Sequence, residues 1–73
     1  MRLNRLFVDS SLHLGESLIL PVEAAHHVLH VLRLKINTSV ILFNGQGGQY
    51  LATLIRCGKR EIEVMIQEYQ AIE

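Results

Sequence analysis

The segment from residue 26 to residue 50 holds the residue types that most readily carry out chemistry. Three histidines and an arginine fall within eight residues, and a glycine-rich stretch, residues 44–48, follows. His26 and His30 are four residues apart, so on a helix both rings project from one face and could share a metal ion, with Glu23 as a third ligand. Solvent-facing histidines are also common on polar helix faces, which is the simpler interpretation. No metal site is therefore predicted.

Two further kinds of site are considered and set aside. Cys57 is the only cysteine, which excludes an intramolecular disulfide, and its turn-like context offers no helix amino terminus to activate a thiolate. The glycines of residues 44–48 could cradle a phosphate, but phosphate loops run from a strand into a helix. Both flanks here have strand character, which favours a hairpin turn. No catalytic residue is predicted on this chain.

Composition and charge limit the possible classes of protein. The chain has 73 residues, of which 49% are hydrophobic, enough for one small folded domain. Residues 1–60 contain seven basic and three acidic residues, a net charge of +4, whereas residues 61–73 contain four glutamates and no base. This asymmetry is typical of a surface that faces a polyanion, and also of an ordinary solvated surface. No apolar stretch has the length of a signal peptide or of a membrane span, so we expect a cytoplasmic protein without a membrane partner.

Hydrophobic periodicity indicates the elements that position these residues. Strand-like patterns occupy residues 5–8, 17–21, 39–43, 49–56 and 61–67. The last alternates most regularly, with Ile62, Val64 and Ile66 on one face. Glycine-bearing connections of hairpin length join the last three segments, which predicts three consecutive antiparallel strands.

A helical period replaces the alternation between residues 21 and 34. Seven apolar side chains fall within about half of the circumference: Val22, Ala24, Ala25, Val28, Leu29, Val31 and Leu32. Pro21 suits the first position, and Asn37 is expected to end the helix because asparagine tolerates the left-handed conformation. The sequence thus predicts a mainly β fold, a small antiparallel β-barrel of about five to six strands with one amphipathic helix. Its predicted core contains Leu29, Leu32, Leu42, Leu54, Ile62 and Val64.

Three motifs, in chain order, resemble those of the ribosomal RNA small subunit methyltransferase E (RsmE) family. They are an R-x-x-R-x-F opening (Arg2, Arg5, Phe7), an H-x-x-x-V-L-R helix (His27, Val31, Leu32, Arg33) and an L-F-[DN]-G turn followed by Y-x-A-x-I (Leu42, Phe43, Asn44, Gly45, Tyr50, Ala52, Leu54). The resemblance spans almost the whole chain. The chain departs from the family at Asn37, where glycine is usual, and at Asn44, where aspartate is frequent.

The resemblance implies that residues 1–73 form a PUA-like RNA-binding domain, followed in the full-length protein by a SPOUT methyltransferase domain. It implies that this second domain binds S-adenosylmethionine, methylates N3 of a uridine in 16S rRNA and forms a homodimer. We would then expect no cofactor on the present chain and no activity of the chain alone. The expected partners are 16S rRNA, or the small ribosomal subunit, and the chain's own catalytic domain.

The resemblance and the charge distribution together select candidate RNA-binding residues. These are Arg5, Arg33, His27, Arg2 and Lys35, with the arginines expected to contact phosphates. His27 borders the apolar arc, so its ring suits an RNA contact and a structural hydrogen bond equally. The alternative function is a structural or dimer-interaction domain that packs on the catalytic domain through apolar residues such as Leu34 and Met65, with RNA held elsewhere. A free-standing enzyme would need a cofactor site that the sequence does not show.

Overall fold

Five strands and one helix form the domain in the computed structural model, which describes residues 3–71. The strands are β1 (Asn4–Phe7), β2 (Ser17–Ile19), β3 (Ser39–Phe43), β4 (Gln49–Cys57) and β5 (Ile62–Gln70). The helix begins as an α-helix, α1 (Val22–His26), and continues without a break as a π-helical segment (His27–Leu32). Within residues 3–71, no helix is long and apolar enough to cross a membrane.

The strands form one mixed sheet in the order β1-β3-β4-β5-β2. The antiparallel β3–β4–β5 meander confirms the prediction of two consecutive hairpins. β2 pairs antiparallel with β5, but β1 pairs parallel with β3, which departs from an all-antiparallel sheet. A parallel pair needs a long crossover, and residues 8–38, which include β2 and the helix, supply it. No ladder joins β1 to β2 in the described residues, so the mainly β fold is confirmed as one open mixed sheet rather than a closed barrel.

The core lies between the inner face of the sheet and the helix. Inward-facing residues alternate along the strands and are joined by helix and loop residues: Leu6, Val8, Leu12, Leu20, Ala25, Val28, Val40, Leu42, Ala52, Leu54, Ile62, Val64 and Ile66. Four of the six predicted core residues are therefore fully buried. The other two, Leu29 and Leu32, are partly buried at its edge.

Two irregularities in the β4–β5 ladder change which side chains face each other. The register passes from Leu51↔Glu68 to Ala52↔Ile66, so Gln67 is an extra residue in β5. Near the other end an extra residue in β4, Ile55, lies between two register pairs. Because side chains alternate along a strand, each bulge reverses the face on which the residues beyond it lie.

The helix ends earlier than the sequence predicts. Its C-cap is Arg33, in the left-handed conformation at φ 54° and ψ 44°, and the Leu34 N–H donates a hydrogen bond to the Val28 carbonyl at 3.2 Å. The prediction that Asn37 ends the helix is wrong, although Asn37 is also left-handed, at φ 74°, in the turn before β3. The i→i+5 hydrogen bonds of a π-helix also change the angle between residues, so the α-helical wheel fails beyond His26. Val31, placed by that wheel on the apolar arc, is 61% exposed. Val22, also predicted on that arc, is 82% exposed, but it lies in the α-helical part, so the π-helical segment does not account for its exposure.

Candidate nucleic-acid interface

Arg5 lies on the solvent-facing side of β1 and contacts an aromatic ring. Its neighbour Leu6 is buried, and the alternation of the strand leaves Arg5 and Phe7 exposed. The Arg5 guanidinium carbon is 4.9 Å from the centroid of the Phe43 ring, which itself contacts Phe7 edge-on at 5.6 Å. An exposed cation–π contact of this kind is worth about 0.5–1 kcal/mol. It orders the guanidinium while leaving it accessible.

Arg33 and Lys35 lie together in the connection between the helix and β3. Both side chains are exposed, and the connection is ordered by backbone hydrogen bonds from Asn37 to the Leu54 carbonyl at 2.8 Å and from Thr38 to the Lys35 carbonyl at 3.1 Å. Arg33 is the left-handed residue at which the helix ends. A left-handed conformation costs a residue with a Cβ atom roughly 1–2 kcal/mol relative to the right-handed one. The fold therefore holds an arginine where glycine would be unstrained.

The remaining predicted residues, His27 and Arg2, are not part of this connection in the sequence. His27 begins the π-helical segment with an exposed ring, so both of its proposed roles stay predictions. Arg2 lies outside the described residues. Among residues 3–71, no hydrogen bond or ion pair joins Arg5, His27, Arg33 and Lys35 to one another.

The ion pairs within residues 3–71 belong to another arginine. Arg56 contacts Glu61 at 3.2 Å and Glu63 at 3.1 Å, because the bulge in β4 pairs Arg56 with Glu63 across the ladder. The hydrogen bonds to Glu63 and Glu61 raise the pKa of Arg56. A hydrogen bond from Ser17 and a second from Arg56 lower the pKa of Glu63. Two of the four carboxy-terminal glutamates are thus matched to a single cation, and neither pairs with Arg5 or Arg33.

A basic groove that the sequence analysis did not identify lies between the helix and the β4–β5 hairpin. Its cavity of about 370 Å³ is lined by Val22, His26, Leu29, His30, Lys59 and Arg60. We call the four nitrogen-bearing side chains, His26, His30, Lys59 and Arg60, the basic groove. The two histidine rings lie 4.6 Å apart, as their i, i+4 spacing predicts. Their near neighbours in the groove are cations rather than further metal ligands, and no cluster of three possible ligands occurs in the described part of the chain.

The groove has the chemistry of an anion site. Two of its side chains carry a full positive charge, the two imidazoles can donate hydrogen bonds, and none of the lining residues is acidic. The signal available in the sequence was the Lys59-Arg60 pair at a hairpin. Its proximity to the histidines, some thirty residues earlier, depends on how the hairpin packs against the helix.

A second cavity, of about 650 Å³, opens at the end of the sheet where β3 joins β4. It is lined by Ser11, Leu12, His13, Leu14, Asn44, Gln46, Gly47, Tyr50 and Tyr69, and we call it the tyrosine cavity. The rings of Tyr50 and Tyr69 are register partners on β4 and β5, and their centroids lie 5.0 Å apart at 56°. The glycine-rich residues thus form a β3–β4 hairpin, as predicted, rather than a loop leading into a helix.

Asn44 fixes the wall of the tyrosine cavity. Its side-chain amide donates a hydrogen bond to the Ser10 carbonyl at 3.0 Å, and its side-chain oxygen accepts one from the Gln46 N–H at 3.1 Å. Asparagine can make both bonds, whereas an ionised aspartate could not donate the first. The cavity therefore has a preformed wall that joins the β1–β2 and β3–β4 loops.

Cys57 is the one thiol in the sequence, and the structure gives it no reactive character. It is the last residue of β4 rather than part of a turn, and it packs against the edge of the core. Burial raises the pKa of the Cys57 thiol, which disfavours the reactive thiolate.

Comparison with known proteins gives a consistent family assignment. Residues 20–67 match the model of the RNA methyltransferase PUA domain. The chain is 37% identical over 71 residues to the ribosomal RNA small subunit methyltransferase E of Rickettsia conorii, covering 93% of this chain but 28% of the relative. It therefore spans less than a third of that relative's length.

Solved structures support the same assignment. A putative methyltransferase from Legionella pneumophila, solved with its bound cofactor SAM, superposes with a TM-score of 0.96 at 29% identity, over 100% of this chain and 30% of the other. The ribosomal RNA small subunit methyltransferase E from Neisseria gonorrhoeae, bound to S-adenosyl methionine, gives 0.87 at 28% identity over 94% and 29%. The PUA-like fold implied by the sequence resemblance is thus confirmed.

Proposed function

This chain belongs to the RNA methyltransferase PUA domain family, and we propose that it is the RNA-binding domain of a 16S rRNA (uracil-N3)-methyltransferase. In this proposal, residues 1–73 seat the rRNA, and a carboxy-terminal SPOUT domain of the full-length protein binds S-adenosylmethionine and transfers the methyl group. The relatives solved with SAM bound, of which this chain covers less than a third, support the assignment of cofactor binding to a second domain. The full-length protein would act in ribosome biogenesis in the cytoplasm, as a homodimer.

The observation that carries the proposal is the conformation of Arg33. Glycine is the residue usually found in the left-handed position at the end of a helix, because it has no Cβ atom to clash. The fold instead keeps an exposed arginine there, with φ 54°. Strained backbone at an exposed charged residue favours a functional requirement for that side chain. A guanidinium suits phosphate because its planar fork donates two parallel hydrogen bonds.

The basic groove supports the same function with a different set of residues. Because its lining contains cations and no carboxylate, it favours a phosphodiester over any cationic or neutral group. Contacts from Arg5, Lys35, His27 and Arg2 would add to those of Arg33. We expect these groups to neutralise phosphates and to fix the orientation of the rRNA, which is the usual role of backbone contacts.

The test is a titration of a 16S rRNA fragment against the protein at several salt concentrations. Removal of one cation that binds a phosphate should make the slope of log K against log salt shallower by about 1. We expect that change for Arg33→Ala, and about twice that change for the double substitution Lys59→Ala with Arg60→Ala. Arg56→Ala is the matched control, since Arg56 is already paired with two glutamates and its replacement should leave the slope unchanged. Equal slopes for the wild type and the groove variant would refute the proposal for the groove, and an unchanged slope for Arg33→Ala would refute it for Arg33.

The alternative function is an interaction domain that does not hold RNA. Its predicted residues, Leu34 and Met65, are both partly buried, and Leu34 packs against the core, so each would offer only part of its surface to a partner. The large exposed apolar side chains include Phe7 at 55% and Ile19 at 53%. Sedimentation velocity with and without RNA distinguishes the two functions, because a stable oligomer that ignores RNA would favour the alternative.

A further inference from the structure

We infer that the tyrosine cavity binds one unpaired nucleobase of the RNA, in addition to the phosphate contacts made elsewhere on the domain. This inference rests on the proposed function, since it names the part of the RNA that a second site would hold. The cavity volume of about 650 Å³ falls within the range of small-molecule sites, and two aromatic rings form one side of it. Unpaired bases are the part of RNA that proteins most often recognise, by stacking on aromatic side chains.

The bulge at Gln67 brings the second ring to the cavity. Simple alternation from Ile66 would place Glu68 on the inner face and Tyr69 outside. With Gln67 as an extra residue, Tyr69 pairs with Tyr50 instead and shares its face of the sheet. Tyr69 remains 44% exposed, so part of its ring surface is open to a ligand. Bulges of this kind are frequently used to re-aim a side chain next to a functional site.

Gly48 provides the room for the Tyr69 ring. A Cβ atom at this position would collide with the ring and the hydroxyl of Tyr69, and the φ of +71° also favours glycine. The ring is thus held between the backbone of residue 48 and Tyr50. The two hydrogen bonds of Asn44 fix another part of the lining. Preformed walls reduce the entropy cost of binding.

The lining of the tyrosine cavity contains no permanently charged side chain, which favours a nucleobase over a phosphate as its ligand. Of the nine lining residues none is Lys, Arg, Asp or Glu, and His13 is the only histidine among them. A phosphate would find no fixed positive charge there, whereas the basic groove offers two. The Gln46 amide and the His13 ring at the rim both donate and accept hydrogen bonds, as the edge of a base requires.

The experiment compares two RNA probes of equal length and equal charge, a fully paired duplex and a hairpin with an unpaired loop. Tyr69→Leu keeps apolar bulk but removes the flat ring, and Tyr69→Phe keeps the ring. Stacking of a base on an aromatic side chain is worth about tenfold or more in affinity. We expect Tyr69→Leu to weaken the hairpin about tenfold and leave the duplex unchanged, while Tyr69→Phe stays within about twofold of the wild type for both.

A second variant and a spectroscopic signal test the base site without depending on the folding of the Tyr69 variants. His13→Ala removes an exposed side chain from the rim and should weaken the hairpin about threefold, the value of one hydrogen bond. The sequence contains two tyrosines and no tryptophan, and both tyrosines line this cavity. Intrinsic tyrosine fluorescence of the 73-residue chain should therefore change with the hairpin and not with the duplex.

The outcomes separate this inference from the proposed function. If the wild type binds neither probe, the proposed function fails and the base site fails with it. If the wild type binds both probes with salt-dependent affinity, but Tyr69→Leu and His13→Ala bind the hairpin as tightly as the wild type, the RNA-binding function stands and the base site is refuted. Equal weakening of the duplex and the hairpin also refutes it, because stacking needs an unpaired base.

Discussion

Replacing Arg33 by glycine should make the protein more stable and a weaker RNA binder at the same time. The substitution removes the Cβ atom that clashes in the left-handed conformation at φ 54°, and it also removes the guanidinium. Most substitutions that abolish an interaction lower stability, so opposite signs for the two properties are a distinctive expectation. Arg33→Ala removes the same guanidinium but keeps the Cβ atom, which makes it the matched comparison.

The magnitude follows from two opposing terms. Relief of the left-handed conformation contributes roughly 1–2 kcal/mol. Glycine also gains freedom in the unfolded chain, which offsets roughly 0.4–1 kcal/mol of that benefit. The net expectation is a gain of about 0.5–1 kcal/mol, and in a domain of this size 1 kcal/mol corresponds to about 4–8 °C in the melting temperature. We expect Arg33→Gly to melt about 4 °C higher than the wild type, and Arg33→Ala to melt close to it.

Thermal melting by circular dichroism and RNA titration on the same samples measure both effects. Arg33→Gly and Arg33→Ala should bind RNA with equally reduced affinity, since both lack the guanidinium. Asn37→Gly is the control for the backbone, because Asn37 is also left-handed, at φ 74°, and is not placed on the RNA surface. It should melt slightly higher and bind RNA as the wild type does. A lower melting temperature for Arg33→Gly would refute the strain argument, and undiminished RNA affinity would remove Arg33 from the interface.

Two further predictions concern stability. Leu42 is completely buried, so Leu42→Ala should lower the free energy of unfolding by about 2–5 kcal/mol, which is most of what a core of this size supplies. Urea unfolding of this variant should show little folded protein at 25 °C. The control is Leu14→Ala, at a position 56% exposed, which should unfold near the wild-type midpoint. Hydrogen bonds from Ser17 and Arg56 lower the pKa of Glu63 in the folded protein below its value in the unfolded chain. The ionised carboxylate therefore stabilises the fold at every pH above the unfolded-state pKa. This contribution is lost as the pH falls through the lower pKa of the folded state. Glu63→Gln should therefore melt below the wild type at pH 7 and together with it in acid, and an equal difference at both pH values would contradict the assignment.

The local sequence was sufficient to predict most of the strands and the core. Ile62, Val64 and Ile66 alternate, and all three are buried. The Asn44-Gly45 pair predicted the β3–β4 hairpin, and the glycine at residue 45 has the positive φ, +78°, that such a turn requires. These features depend on a few neighbouring residues, because side-chain alternation and turn conformation are set within one strand or one turn. The prediction of Arg5 and Arg33 as RNA-binding residues depended on the family resemblance and not on a local pattern.

The tertiary structure decided what those elements bring together. A single extra residue, Gln67, reverses the face of Tyr69 and so creates the tyrosine cavity, and nothing in the alternation of β5 reveals where the ladder with β4 shifts. The basic groove joins His30 to Lys59 across nearly thirty residues. The π-helical segment ends the helix at Arg33 rather than Asn37 and leaves an arginine in a conformation suited to glycine. The physical reason is common to all three: register, helix type and the packing of a hairpin on a helix are settled by the summed contacts of distant segments, which no local pattern records.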